Sequence, residues 1–277
     1  KFPKFLFLTQ DLRKSNFLKQ LKPKKYLGQH FLKDSNISKK IVESLISKKL
    51  SRIIEIGPGM GILTQHLLNC NIKTSFIEID SNSVDYLNKK FPEIKNSIIH
   101  EDFLKINLDR FKPPIGLIGN FPYNISSQIL FKLIENREKI NQLVGMFQFE
   151  VAKRVCAPPG SKTYGILSVL VQAFYTAEFL FSLSPNHFTP PPKVDSGIIR
   201  LTKKNINKLD CDEKLFFKIV KTSFQQRRKT LRNSLKSFNL SNNIKEDAIF
   251  EKRPETLSVD DFILLTNIIA DGTIPAY

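Results

Sequence analysis

The run Ile53-Ile54-Glu55-Ile56-Gly57-Pro58-Gly59-Met60-Gly61-Ile62-Leu63-Thr64 narrows the possible folds more than any other stretch of the chain. A short β-rich segment ends in three glycines at alternate positions, and a helical pattern follows. Glycine lets a backbone turn this tightly and leaves room for a ligand to lie against it. A helix after the turn aims its amide-rich N-terminus back at the same place. The loop is not a dinucleotide turn, because Ile62 stands where G-x-G-x-x-G closes on a small residue. It reads acid-x-G-x-G-x-G, with Glu55 in the strand before it. A second strand, 74–79, runs into Glu78 and Asp80 about twenty residues on, where ribose hydroxyls are commonly held. An adenosine-type cofactor fits this pattern; the competing reading is a tight turn whose glycines serve packing alone.

Strand and helix alternate through the middle of the chain. The spacing predicts a helix over 36–47, a strand over 52–56, a helix over 62–70 and a strand over 74–79. It continues with a helix over 82–90, strands over 97–100 and 115–119, a helix over 126–136 and a strand over 143–149. Such alternation implies a mostly parallel sheet with helices on both faces and ligands beyond the carboxyl ends of its strands. The segments 57–61, 78–80, 101–103 and 120–124 all fall at such ends. From Glu150 the pattern changes: a turn-rich loop leads to a helix over 165–174, then to a hairpin-like pair over 177–183 and 196–202. The stiff connection between them is Pro185 to Ser196, which contains Phe188. The polar stretch Lys203 to Asp212 reads as a linker, and helices over 213–224, 227–237, 244–248 and 258–270 follow. The chain thus divides into a basic arm (1–24), an α/β domain (25–203) and a helical domain (204–277).

The net charge of +17, from 43 basic and 26 acidic residues, points to a polyanionic partner, with nucleic acid ahead of an anionic membrane. A Lys-, Ile- and Asn-rich genome accounts for part of the excess. Two stretches concentrate it. Lys1 to Lys25 hold eight basic residues and one acid, as a phosphate-contacting arm, a targeting remnant or a partly ordered tail would. Lys218 to Lys236 hold seven basic residues and no acid, with Arg227, Arg228, Lys229 and Arg232 close to one face of the predicted helix. No run reaches the roughly 18 apolar residues that span a bilayer. The three cysteines are scattered without a CxxC pair and the four histidines lack ligand spacing, so no metal and a reducing compartment are expected.

At the fourth strand end stands Asn120-Phe121-Pro122-Tyr123. An amide oxygen and the carbonyl before a proline can both accept hydrogen bonds from a planar exocyclic amine, and a tyrosine can stack on a base. The plain alternative is a proline turn leading into a helix cap. Phe188, on composition alone, reads as a core residue.

Taken together the motifs resemble the ribosomal RNA small-subunit adenine-N6,N6-dimethyltransferases, the kasugamycin-sensitivity family, over 24–270. Gln29-His30-Phe31-Leu32, the glycine loop, Ile77-Glu78-Ile79-Asp80, Glu101-Asp102-Phe103, Asn120-Phe-Pro-Tyr-Asn-Ile-Ser, Pro159-Gly-Ser-Lys, Phe188-Thr-Pro-Pro-Pro-Lys-Val-Asp-Ser and Arg253-Pro-Glu-Thr-Leu-Ser occur in the family's order. The resemblance implies a Rossmann-like methyltransferase sheet with a small C-terminal helical domain, and S-adenosyl-L-methionine as cofactor. Gly57, Gly59 and Gly61 would line the cofactor, with Gln29, His30 and Leu32 closing over it. Glu78 would take its ribose, Asp102 its adenine amine, and Ile79 and Phe103 would be the walls. Asn120 would touch cofactor and target, Pro122 would belong to the amine-holding turn, and Tyr123 and Phe188 would sandwich a flipped adenine. Arg227, Arg228, Lys229 and Arg232 would contact RNA.

The implied activity is N6,N6-dimethylation of two adjacent adenosines in the 3′-terminal hairpin of small-subunit rRNA during ribosome assembly, by a monomer acting on a pre-30S particle. The location would be the cytoplasm, or a mitochondrion or plastid if the arm is a targeting remnant. The rival readings are a large-subunit rRNA methyltransferase of the macrolide-resistance type and a non-catalytic binding protein on the same fold. Two positions depart from the family pattern: Phe121, where leucine or isoleucine is usual, and Phe149, where lysine is common.

Overall fold

A computed structural model describes residues 23–45, 49–206 and 208–272. Nearly all of the basic arm lies outside them. The strands are β1 (Phe31–Leu32), β2 (Arg52–Ile56), β3 (Thr74–Glu78), β4 (Ile98–His100), β5 (Ile115–Asn120), β6 (Ile140–Gln148), β7 (Tyr175–Leu183), β8 (Phe188–Thr189) and β9 (Ser196–Lys203). Seven of them form one sheet in the order β4-β3-β2-β5-β6-β9-β7. The strands from β4 to β6 run parallel, and β9 is antiparallel to both β6 and β7. The chain leaves β2 toward one edge and returns at β5 to build toward the other. The β2/β5 boundary is therefore a topological switch point, where the crevice beyond the strand ends opens for a ligand.

The helices are α1 (Ser35–Glu43), α2 (Thr64–Leu67), α3 (Ser81–Lys90), α4 (Ser126–Glu135), α5 (Phe149–Val155), α6 (Ile166–Gln172), α7 (Glu213–Gln225), α8 (Leu231–Ser234), α9 (Asn242–Lys245) and α10 (Val259–Asp271). Local chemistry sets several starts. Asp34 accepts from the Asn36 and Ile37 amides at α1, Asp80 from the Asn82 amide at α3, and Ser258 and Asp261 form a reciprocal box at α10. The 62–70 helix is shorter than predicted, because the chain is still turning through Gly61 (φ +73°) and Leu63 offers no side-chain cap.

One expectation for the C-terminal part needs correction. The continuous 227–237 helix does not form. The first helix stops at Gln225, and Thr230 is extended before the short α8 begins. The Leu231 amide donates to the Lys252 carbonyl (2.9 Å), which fixes the break from outside the segment. The described residues of the 203–212 linker are held in place by neighbours on both sides. Leu209 is buried, the Lys204 amide bonds the Phe174 carbonyl, and Asn267 Nδ2 bonds the Asp210 carbonyl. Phe216, Ile219 and Phe262 of the C-terminal helices belong to the same apolar cluster as Leu143 and Leu170 of the α/β part. Arg137 Nη2 donates to both carboxylate oxygens of Glu213 (3.0 and 2.7 Å) across that junction.

Candidate active site

One cavity sits at the carboxyl ends of β2, β3 and β5. Its wall includes Gln29, His30, Gly57, Gly59, Glu78, Ile79, Asp102, Phe103, Asn120, Pro122 and Tyr123. Five separated segments of sequence therefore converge at the switch point.

The glycine turn forms the floor. Gly57, Gly59 and Gly61 all have positive φ (+66°, +54° and +73°), where a side chain would strain the backbone. Their surroundings differ. A Cβ on Gly57 meets nothing within 4 Å, one on Gly59 would press on the Phe31 ring at 2.9 Å, and one on Gly61 would strike Phe91 at 2.4 Å. Gly57 thus opens onto space, Gly59 makes way for the strap above it, and Gly61 lets the turn close on α3 without reaching the cavity.

Glu78 is buried at the end of β3 and held rigidly. Its Oε2 accepts from the Gly59 amide and its Oε1 from the Asp80 amide, both at 2.9 Å. A carboxylate fixed in this way presents its remaining lone pairs as acceptors for vicinal hydroxyls. Burial pushes the carboxyl above its ordinary value, and the two backbone donors work against that shift. Asp102 takes the Leu104 amide (2.9 Å) on Oδ1 and lines the cavity next to buried Phe103. Lys132 clamps this turn through the carbonyls of Leu104 and Ile106 (2.9 and 2.7 Å). Half-exposed Ile79 offers a flat apolar wall. Open glycine floor, fixed diol acceptor, second carboxylate and apolar walls fit an adenosine-type cofactor.

Beneath the floor lies Glu55, buried at the end of β2. Its Oε2 accepts from Thr64 Oγ1 at 2.7 Å. Burial pushes its carboxyl up to about 8, the Thr64 hydrogen bond offsets only part of that, and the charge of Glu78 adds to it. The folded protein therefore keeps a proton that the unfolded chain gives up near 4.5. Stability from this group is full below about 4.5 and is lost as pH rises toward about 8. Glu55→Gln keeps an acceptor for Thr64 and removes the titration. Its melting temperature relative to the wild type is expected to rise between pH 5 and pH 8; equal pH profiles would refute the buried acid.

Above the cavity runs the strap 23–32. Asn120 Nδ2 donates to the His30 carbonyl at 2.6 Å. A carbonyl can only accept, so the amide nitrogen faces the strap and Oδ1 is left as the acceptor end. The His30 ring stacks on Tyr123 (centroids 5.7 Å, 29°), and its Nδ1 bonds the Pro190 carbonyl at 2.8 Å. Tyr123 Oη is fixed by Ser196 Oγ at 2.6 Å.

Three residues expected at the site stand behind it. Gly61, Leu32 and Phe188 are absent from the cavity wall. Leu32 and Phe188 are register partners in the β1–β8 ribbon and are both buried in the core. The ribbon turns Phe188 inward, so its ring backs the strap and does not face Tyr123 across the cavity. Phe121 belongs to the cavity wall, but its ring is buried against Phe147 (centroids 5.0 Å) and lies over Gly119 and Gly145. The ring in the departing position packs under the 120–123 turn. Phe149, the other departure, meets Phe179 edge-on at 5.8 Å with Lys153 over both rings, away from the cavity.

The four cations of the predicted basic face are engaged differently. Arg227 is bound to Glu255 (2.6 Å) and to the Lys162 carbonyl, and Arg232 to Glu251 (2.5 Å) and the Lys245 carbonyl. Arg228 and Lys229 sit exposed on the turn between α7 and α8. Sequence could not reveal this, because the acids that engage Arg227 and Arg232 lie about twenty to thirty residues further on. Among the described residues no group of His, Cys, Asp and Glu could hold a metal ion, and no helix is long and apolar enough to cross a membrane.

The sheet order, the glycine turn and the acid-ended second strand define a protein of the S-adenosylmethionine-dependent methyltransferase class. A family model described as ribosomal RNA adenine dimethylase matches residues 20–271. A relative from Flavobacterium johnsoniae, named ribosomal RNA small subunit methyltransferase A, is 57% identical over 258 residues, covering 92% of this chain and 99% of its own. A relative of the same name from Bacteroides thetaiotaomicron is 51% identical, covering 92% and 97%. Among solved structures, a dimethyladenosine transferase from Plasmodium falciparum superposes with a TM-score of 0.75 at 30% identity, covering 86% of this chain and 97% of that one. The 23S rRNA methyltransferase ErmE shares the fold, with a TM-score of 0.65 at 22% identity and coverages of 86% and 99%. The chain belongs to the ribosomal RNA adenine dimethylase family.

Proposed function

We propose that this chain binds S-adenosylmethionine and dimethylates N6 of two adjacent adenosines in the 3′-terminal hairpin of small-subunit rRNA. The observation that carries the reading is the fixed orientation of Asn120, whose amide nitrogen is spent on the His30 carbonyl and whose oxygen is left to accept. The bound cofactor supplies an electrophilic methyl on a sulfonium. Glu78 holds its ribose hydroxyls, and Asp102, Ile79 and Phe103 hold its adenine. The target N6 is a poor nucleophile, because its lone pair is delocalised into the purine ring. Hydrogen bonds from N6 to Asn120 Oδ1 and to the carbonyl of Phe121 or Pro122 draw the nitrogen toward tetrahedral geometry and direct its lone pair along the transfer axis. Tyr123, braced by Ser196 and His30, stacks on the flipped base. The site needs no strong base, since the departing proton can pass to solvent after transfer.

Exposed Arg228 and Lys229 are the RNA-docking cations of this reading, while Arg227 and Arg232 hold the turn that presents them. The double variant R228A/K229A is expected to weaken 30S binding and to flatten its salt dependence by roughly one to two units of log–log slope. Cofactor affinity should not change. An unaltered salt slope would remove the turn from the docking surface.

The names of the relatives support small-subunit RNA over large-subunit RNA. The deciding experiment is methyl transfer from labelled S-adenosylmethionine to unmethylated 30S particles, with 50S particles in parallel and the modified base mapped. Dimethyladenosine in the 3′-terminal hairpin is the expected product. Label confined to 50S particles, or RNA binding without transfer, would overturn the proposal.

A further inference from the structure

Lys24 is the last residue of the basic arm, which as sequence suggested a phosphate-contacting arm, a targeting remnant or a partly ordered tail. It is the one cation of that arm among the described residues, and it turns inward. Its ammonium pairs with Asp80, a carboxylate with only 1% of its side chain exposed. Its backbone amide donates to Gln29 Oε1 (2.9 Å), and Gln29 Nε2 reaches the other Asp80 oxygen at 3.4 Å. Asp80 is itself immobilised, accepting from Ser83 Oγ at 2.9 Å and donating its amide to Glu78. The strap is thus tied at one end to the tip of β3, beside the cofactor's ribose acceptor, and at the other by β1 pairing with β8. Between these ties lies His30, whose carbonyl holds the Asn120 amide.

From this geometry we infer that Lys24 and Asp80 are positioning residues for methyl transfer: they latch the strap and, through the His30 carbonyl, keep the Asn120 oxygen aimed at the target amine. The inference rests on the proposed function for the identity of the amine. The physical logic is that of an anchored acceptor. A side-chain amide with no fixed partner rotates between two orientations, and in one of them it presents N–H groups to a target that also needs to donate. A strap tied at both ends removes that second orientation before any substrate arrives, which is how preorganisation raises a rate as well as an affinity.

Three variants test this in the full chain. Lys24→Met breaks the pair, Asp80→Asn breaks it while keeping a good N-cap for α3, and Lys24→Arg preserves it. The first readout needs no RNA: the side-chain amide signals of Asn120, identified by their loss in Asn120→Ala, and hydrogen exchange of the strap amides without cofactor. Lys24→Met and Asp80→Asn are expected to shift the Asn120 signals and to speed strap exchange about tenfold, with Lys24→Arg near wild type. The second readout is single-turnover transfer to 30S particles with cofactor and particles both saturating, where the same two variants should be about tenfold slow. Unshifted Asn120 signals, or wild-type single-turnover rates whatever the cofactor affinity, would overturn the latch. A wild type that transfers nothing to 30S particles would refute the substrate reading, and the Asn120 signals would still decide the latch.

Discussion

Asn120→Ala is expected to lower single-turnover methyl transfer by at least about 10²-fold, the scale for removing one preorganised hydrogen-bonding group from a reacting centre. The cofactor dissociation constant should rise by less than about tenfold, because the glycine floor, Glu78 and Asp102 are unchanged. The asymmetry follows from the geometry. Asn120 sits at the end of β5, between the cavity and the strap, and donates only to the strap. In the proposed reaction its oxygen is engaged fully only when the amine is present and becoming tetrahedral. Asn120→Asp sharpens the test. A carboxylate would set an acceptor against the His30 carbonyl, 2.6 Å from the present nitrogen, and would repel it. This variant should lose activity despite keeping an oxygen for the amine, and its strap amides should exchange faster. Transfer at the wild-type rate in either variant would remove Asn120 from the chemistry.

Gly145→Ala is expected to destabilise the fold by about 2–3 kcal/mol through overpacking, a fall in melting temperature of roughly 4–12 °C for a chain of this size. Gly119 and Gly145 are register partners on neighbouring strands, and the Phe121 ring lies across both. A Cβ on Gly145 would come within 2.0 Å of that ring and one on Gly119 within 2.7 Å, distances no packed carbon accepts. Phe121 is buried beside Phe147, so it has no open side to move into except the 120–123 turn it belongs to. Phe121→Leu, the residue type usual in the family, should make room. The double variant is expected to recover at least about 1 kcal/mol relative to the sum of the two single losses. Denaturant titration of the four proteins closes the cycle. Additivity to within about 0.5 kcal/mol would mean that Gly145 serves something other than the ring.

Sequence alone determined the elements whose signals are local. The glycine turn after β2 was legible because only glycine accepts three positive φ values in five residues. The parallel sheet was legible because strand and helix periods alternate, and Glu78, Asp102 and Asn120 could be placed because ligands bind where such strands end. Family motifs then supplied roles for residues whose chemistry is silent in isolation, such as Gln29 and His30. Tertiary structure decided everything that depends on a partner distant in the chain. It took Phe188 out of the cavity by pairing it with Leu32, and spent Arg227 and Arg232 on Glu255 and Glu251. It broke the 227–237 helix with the Lys252 carbonyl and laid Phe121 on two glycines that are neighbours only across β5 and β6. It also brought Lys24 to Asp80, 56 positions along the chain. The reason is common to all of these. Propensity and period are properties of a few consecutive residues, whereas burial, charge pairing and close packing depend on which strands become neighbours, and only the folded sheet fixes that.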